Sequence, residues 1–419
     1  MNFRKTLPNS KTALFALIVI GTLQGCNWDD KYSVVDCSDK ADPNVVDCRS
    51  EGATIDNEQG ETGIADDSGT LISFERDITL LQPLTETDSA SWSATHEDQL
   101  DLLVRTAGDQ IFVGSKYHNY LRSFQSDALG QLTPLDAAAF LDVSGARHEI
   151  DAVTGASEQV FNHLSLNTDG SQTILIAQAE KYDSESSGTG VGVYIEPLPA
   201  PGTLPDVRFA SGGSHNFISY SAIRASTNHP DGTQIAVTGD DRSAKVYQSS
   251  DYSTEAVKTR LRIRGSSITY SDDAETLYVG GLALTGAVVA LASDDLSARW
   301  TINVADKPVA LLPEASGGVV AVLASGSSVY WLPKNGDQAR IVNIPIATQA
   351  SAAAIDSEGK ILVAADTDQG IDVISLQTGQ RAHTRHNAAI QAVAIDGFGT
   401  VWVVSQQSLK GYRLPDSFE

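Results

Sequence analysis

Three cysteines and a scatter of histidines, tyrosines and cations are the residues of this sequence with chemistry to offer. Cys26 follows Leu23-Gln24-Gly25 at the end of an apolar run, which gives its thiol a small neighbour and an approachable position. Cys37 and Cys48 each end a Val-Val-Asp-Cys tetrapeptide, eleven residues apart. In an oxidising compartment such a pair is expected to form a disulfide. Free thiols are the weaker alternative, and a metal site there lacks a nearby His or a second Cys pair. Farther on, Tyr117, His118, Arg147, His148, Lys181, Tyr182 and His215 form a candidate binding face. They could converge as a polar cluster or stand as unrelated solvated loop residues, and with no HxH or HxxxH spacing no metal and no cofactor is assigned. No catalytic residue is assigned either: GxSxG, HExxH and P-loop patterns are absent, and carboxylates are too abundant to single out an acid–base pair. The chain of 419 residues has 53 Asp plus Glu against 29 Lys plus Arg, a net charge of −24. That balance disfavours nucleic acid as a partner, since phosphate affinity comes from clustered Lys and Arg.

The segment that positions Cys26 is itself informative. Arg4, Lys5 and Lys11 precede an uncharged, mostly apolar run of 12 residues from Thr12 to Leu23. A bilayer-spanning helix needs roughly 20, so the run reads as the core of an export signal. Leu23-Gln24-Gly25-Cys26 resembles the lipobox of bacterial lipoproteins. The resemblance implies that residues 1–25 are a signal peptide and that Cys26 becomes the lipidated first residue, carrying a diacylglycerol and an acyl chain such as palmitate. The membrane is then a partner through that lipid. Asn27, where an Asp would imply inner-membrane retention, implies the outer membrane, with the periplasmic or surface side left open.

Residues 26–70 follow as an acidic tether. From Asn27 to Thr70 there are 12 acidic and 3 basic residues and few large apolar ones. Such a composition buries too little surface to offset chain entropy and reads as a solvated spacer.

Residues 71–419 are expected to be one β domain. Seven short β-rich runs align, and their fourth positions are Val113, Ile176, Val237, Val279, Val322, Val363 and Val403. These are spaced 63, 61, 42, 43, 41 and 40 residues apart. A period of about 40 with four strands per unit is the sequence signature of a β-propeller, each run being the second strand of a blade. Turns such as Pro230-Asp231-Gly232-Thr233, Asp356-Ser357-Glu358-Gly359 and Asp396-Gly397-Phe398-Gly399 precede them, with Gly for positive φ and Asp to bond its own backbone. Asn228-His229-Pro230-Asp231-Gly232 through Ser243-Ala244-Lys245-Val246-Tyr247 resembles a WD-repeat blade, and Ala290–Asp294 through Ala298-Arg299-Trp300 resembles a quinoprotein-type blade.

The resemblance implies an all-β fold, most simply seven four-stranded blades. The last unit lacks a fourth strand, and Leu71–Leu81 is expected to supply it. The two long intervals hold insertions at Asp142–Phe161 and Glu180–Gly190, which strand order places as loops on one face of the ring. A lipid anchor plus a propeller implies a non-enzymatic module of the cell envelope that binds envelope proteins. The alternatives are a propeller enzyme of the lactonase, lyase or glycosidase type, and a surface binder of carbohydrate or extracellular protein.

Overall fold

In the run Val319-Val320-Ala321-Val322-Leu323 every residue is buried, which a strand permits only when both of its faces are covered. The computed structural model describes residues 81–91, 102–115, 121–135, four strands between 159 and 219, and most of 223–418. In it, Val319, Ala321 and Leu323 pack with Tyr278, Val288 and Ala290 on one side. Val320 and Val322 pack with Leu362, Ala364 and Ile374 on the other. The two-residue period of a strand thus feeds two cores from one run, and each fully buried Val contributes about 1.5–3 kcal/mol.

The described residues are all-β and propeller-like, in seven four-stranded antiparallel sheets. Strand β1 is Thr85–Ser91. The first sheet is β2–β5 (Leu102–Ala107, Gln110–Ser115, Leu121–Ser126, Leu132–Pro134) and the second β6–β9 (Gln159–Thr168, Thr173–Tyr182, Thr189–Pro197, Phe217–Ser219). The third is β10–β13 (Ile223–Asn228, Gln234–Gly239, Ser243–Gln248, Asp251–Arg260) and the fourth β14–β17 (Arg264–Tyr270, Thr276–Leu282, Gly286–Ala292, Ala298–Val304). The fifth is β18–β21 (Pro308–Pro313, Val319–Leu323, Ser328–Leu332, Val342–Pro345) and the sixth β22–β25 (Ala352–Ile355, Ile361–Ala365, Gly370–Ser375, Arg381–Arg385). The seventh takes β26–β28 (Ala392–Ile395, Val401–Ser405, Ser408–Arg413) and is completed by β1. All seven aligned runs fall on second strands, as their period predicts.

First strands touch one another in turn: β2 lies against β6, β6 against β10, β10 against β14, β14 against β18, β18 against β22, β22 against β26, and β26 against β2. Hydroxyls bridge some of these junctions. Thr106 Oγ1 donates to the Ile395 carbonyl at 2.5 Å, and Ser266 Oγ to that of Pro308 at 2.6 Å. The Asp turns behave as their composition suggests. Asp356 Oδ1 accepts the N–H groups of Lys360 and Ile361 at 2.6 and 2.9 Å, while Gly359 supplies a φ of +68°.

One expectation is corrected. The fourth strand of the seventh sheet is Thr85–Ser91, pairing Thr85 with Arg413 and Ser91 with Ser408, and is not drawn from Leu71–Leu81. The sequence Thr-Glu-Thr-Asp-Ser-Ala-Ser has no apolar alternation because an outer strand is wetted on its edge and only partly covered on its faces. Backbone pairing holds it in place. Gly411 on β28 lets it approach closely, since a Cβ there would lie 2.5 Å from Thr87 Oγ1 and 2.7 Å from the Trp402 ring.

Candidate functional site

Of the candidate binding face, Lys181 and Tyr182 lie at the end of β7, where Lys181 pairs with Gly190 and Tyr182 with Thr189. Tyr117, His118, Arg147, His148 and His215 lie outside the described residues, as do Cys26, Cys37 and Cys48. The Glu180–Gly190 insertion is therefore only partly a loop. Its flanks continue β7 and β8 to 10 and 9 residues, because Tyr and Thr suit a strand and the paired backbone groups satisfy one another. Gln159–Phe161, at the end of the other insertion, is likewise strand. Among the described residues no group of three or more His, Cys, Asp or Glu is arranged to hold a metal.

A cleft of about 540 Å³ opens between the fourth and fifth sheets, lined by Arg299, Trp300, Ser316, Trp331, Lys334 and Arg340 among others. Its residues come from the start of β17, the β18–β19 turn, the end of β20 and the β20–β21 connection. These are first-to-second and third-to-fourth connections, so the cleft opens on the face opposite the long insertions.

Each indole is anchored through its own N–H. Trp331, on β20 and only 4% exposed, donates Nε1–H to Glu314 Oε2 at 2.9 Å, and Ser316 Oγ donates to that same oxygen. Trp300, on β17, donates Nε1–H to the Lys334 carbonyl at 2.8 Å. Its ring lies 5.7 Å from that of Tyr278, whose hydroxyl donates to the Gly317 carbonyl at 2.7 Å. Gly336, at φ +70°, sits against the ring so closely that a Cβ would be 2.5 Å from Trp300 Cγ. With both N–H groups used internally, Trp300, the more exposed of the two, offers the cleft only carbon.

The cations differ in how far they are committed. The Lys334 ammonium reaches Asp273 and Glu275 of the fourth sheet, the latter at 2.6 Å. The hydrogen bonds it donates to those two carboxylates raise its pKa above the ordinary lysine value. Burial alone would raise the Asp273 carboxyl, but the Lys334 and Ser271 donors hold it below its usual range. Arg299 is exposed and gives Nη1–H to the hydroxyl of Thr276 at 2.7 Å. Arg340 is exposed at the end of the 3-10 turn Gln338–Arg340, whose N-cap is Asp337. The cleft thus joins a fixed indole floor, an amide at Asn335 and two guanidiniums with donors to spare.

Sequence reasoning passed over this cleft because its parts are spread from Asp273 to Arg340 across two sheets. A local signal did exist: two of the five Trp of the chain fall at 300 and 331, one beside Arg299 and the other three residues before Lys334. In comparisons with known proteins, no family model and no curated protein matches this chain.

Proposed function

We propose that this chain is a lipid-anchored, seven-bladed β-propeller of the bacterial envelope that binds envelope proteins and is not an enzyme. In this reading Cys26 carries the lipid, residues 26–70 hold the ring off the outer membrane, and the blades resemble WD-repeat and quinoprotein-type units. The cyclic contacts of the first strands support the blade count, and the β1–β28 pairing supports closure.

One observation carries the binding role. Strands β7 and β8 run to 10 and 9 residues, whereas the second and third strands of the other sheets have five to seven. At roughly 3.3 Å per residue the extra pairs extend this hairpin by about 10 Å. A long hairpin on a rigid ring is a natural partner-reading element, and Lys181 and Tyr182 stand toward its tip.

The experiment is site-specific photocrosslinking in living cells. A crosslinker at Tyr182 should give discrete adducts with one or a few envelope proteins, and one at Glu358, in a turn of the opposite face, should not. No Tyr182 adduct, or the same adducts from both positions, would defeat the reading. In parallel, acyl-chain labelling should disappear in Cys26→Ala. Labelling that persists in the variant would remove the anchor.

A further inference from the structure

We propose that the cleft between the fourth and fifth sheets binds an anionic oligosaccharide, at a site separate from the β7–β8 hairpin and on the opposite face of the ring. The argument rests on charge, surface and shape together.

In a chain of net charge −24 several described cations are paired with a carboxylate. Arg224 pairs with Asp240, Lys245 with Asp241, Lys360 with Glu358, Arg381 with Asp372, and Lys410 with Glu86. Lys334 is held between two carboxylates. Arg299 instead bonds to a neutral hydroxyl, with Asp295 close enough to feel its charge. No ion pair engages Arg340 among the described residues. The cleft thus carries two exposed guanidiniums in its lining, and a guanidinium presents its donors as a fork suited to carboxylate or sulfate.

The floor restricts the ligand further. Both indole N–H groups are occupied, so the aromatic surface can be covered only by carbon. A pyranose ring brings a C–H face for the indole, hydroxyls for the Asn335 amide, and, when acidic, an anionic group for the guanidiniums. The cleft, at about 540 Å³, falls in the usual range for small-ligand sites of roughly 300–1,000 Å³. The anion can come from a uronate carboxylate or from a sugar sulfate.

The test titrates the full chain in detergent micelles with three probes of equal length: an oligogalacturonate, a sulfated oligosaccharide and a neutral oligosaccharide. Calorimetry and tryptophan fluorescence are the readouts. At least one anionic probe is expected to bind, at least about tenfold more tightly than the neutral one, and to shift the emission. Arg299→Ala and Arg340→Ala should each weaken that binding about tenfold, and Arg413→Ala, an exposed cation outside the cleft, should leave it unchanged. Whichever anionic probe binds more tightly identifies the source of the charge. The proposal is overturned if neither anionic probe binds at millimolar concentration, if the neutral probe binds equally well, or if the two cleft variants bind like the parent. None of these results depends on the Tyr182 crosslinks, so either reading can fail alone.

Discussion

Asp396 Oδ2 accepts the Nε1–H of Trp402 at 2.7 Å and the hydroxyl of Ser126, also at 2.7 Å, in a site closed to solvent. Its other oxygen accepts the backbone N–H groups of Phe398 and Thr400, both at 2.9 Å. One carboxylate therefore shapes the β26–β27 turn, fixes the largest buried side chain of the seventh sheet and ties that sheet to the first. Asp396→Ala leaves several buried donors unsatisfied and should cost about 3 kcal/mol. Trp402→Phe, which removes one donor and some volume, should cost less. Urea denaturation would compare them, and an unchanged midpoint for Asp396→Ala would show that the tie carries no stability.

Closure by β1 makes a second prediction. Ser89 and Ala90 oppose Lys410 and Leu409 in the ladder, and proline at either position removes a donor and its ring obstructs pairing. Ser89→Pro together with Ala90→Pro should lower the melting temperature and raise aggregation by exposing the β28 edge. A variant that melts like the parent would mean that β1 is dispensable.

His386, 2% exposed, lies between the Tyr412 hydroxyl at 2.7 Å and Ser405 Oγ at 2.8 Å. Burial, followed by the charge of Lys410, depresses its pKa below the ordinary 6.5, with Glu86 acting weakly the other way. Tyr412, pushed up to about 12 mainly by burial, remains protonated beside the ring. Because the folded value lies below the unfolded one, the unfolded chain takes up the proton first as pH falls. The contribution is complete above pH 6.5 and is lost as pH drops from there toward the folded value. Denaturation at pH 8, 6.5 and 5 should show this decline, and His386→Gln should flatten it while lowering stability at pH 8.

Asp372 and Arg381 form an ion pair on adjacent strands of the sixth sheet, with side chains 0% and 1% exposed. Asp372→Ala takes the carboxylate away from a buried guanidinium and should destabilise by about 3–5 kcal/mol, whereas Asp372→Leu with Arg381→Met removes both charges and should be far milder. A double variant as unstable as the single one would show that the pair contributes more than mutual compensation.

Gly336 is the turn position on which Trp300 depends. Gly336→Ala meets both the positive φ and the indole, and should cost about 1–2 kcal/mol. The emission of Trp300 should shift with it. A stable variant with parental emission would show that the β20–β21 connection yields easily.

The repeat was legible in the sequence for a physical reason. A second strand covered on both faces must be apolar throughout, so Val319–Leu323 and Val401–Ser405 stand out from polar turns at a regular interval. The same logic hid β1. Thr85–Ser91 is selected by backbone pairing to β28, and composition records side-chain burial, not hydrogen bonding. The cleft was hidden differently: Trp300 and Trp331 each read as ordinary strand residues, and only the junction of two sheets makes them neighbours. Of the face chosen from the sequence, the structure places Lys181 and Tyr182 on an extended hairpin where a loop was expected.

The β1–β28 pairing also sets a timetable. Glu86 and Lys410, joined across it, are 324 residues apart in sequence. The seventh sheet therefore cannot be completed until synthesis has passed residue 413, however early β1 emerges. Contacts of such separation form late, because loop closure must precede any reward. Until then β1 waits without a partner strand and the edge of β28 stays open.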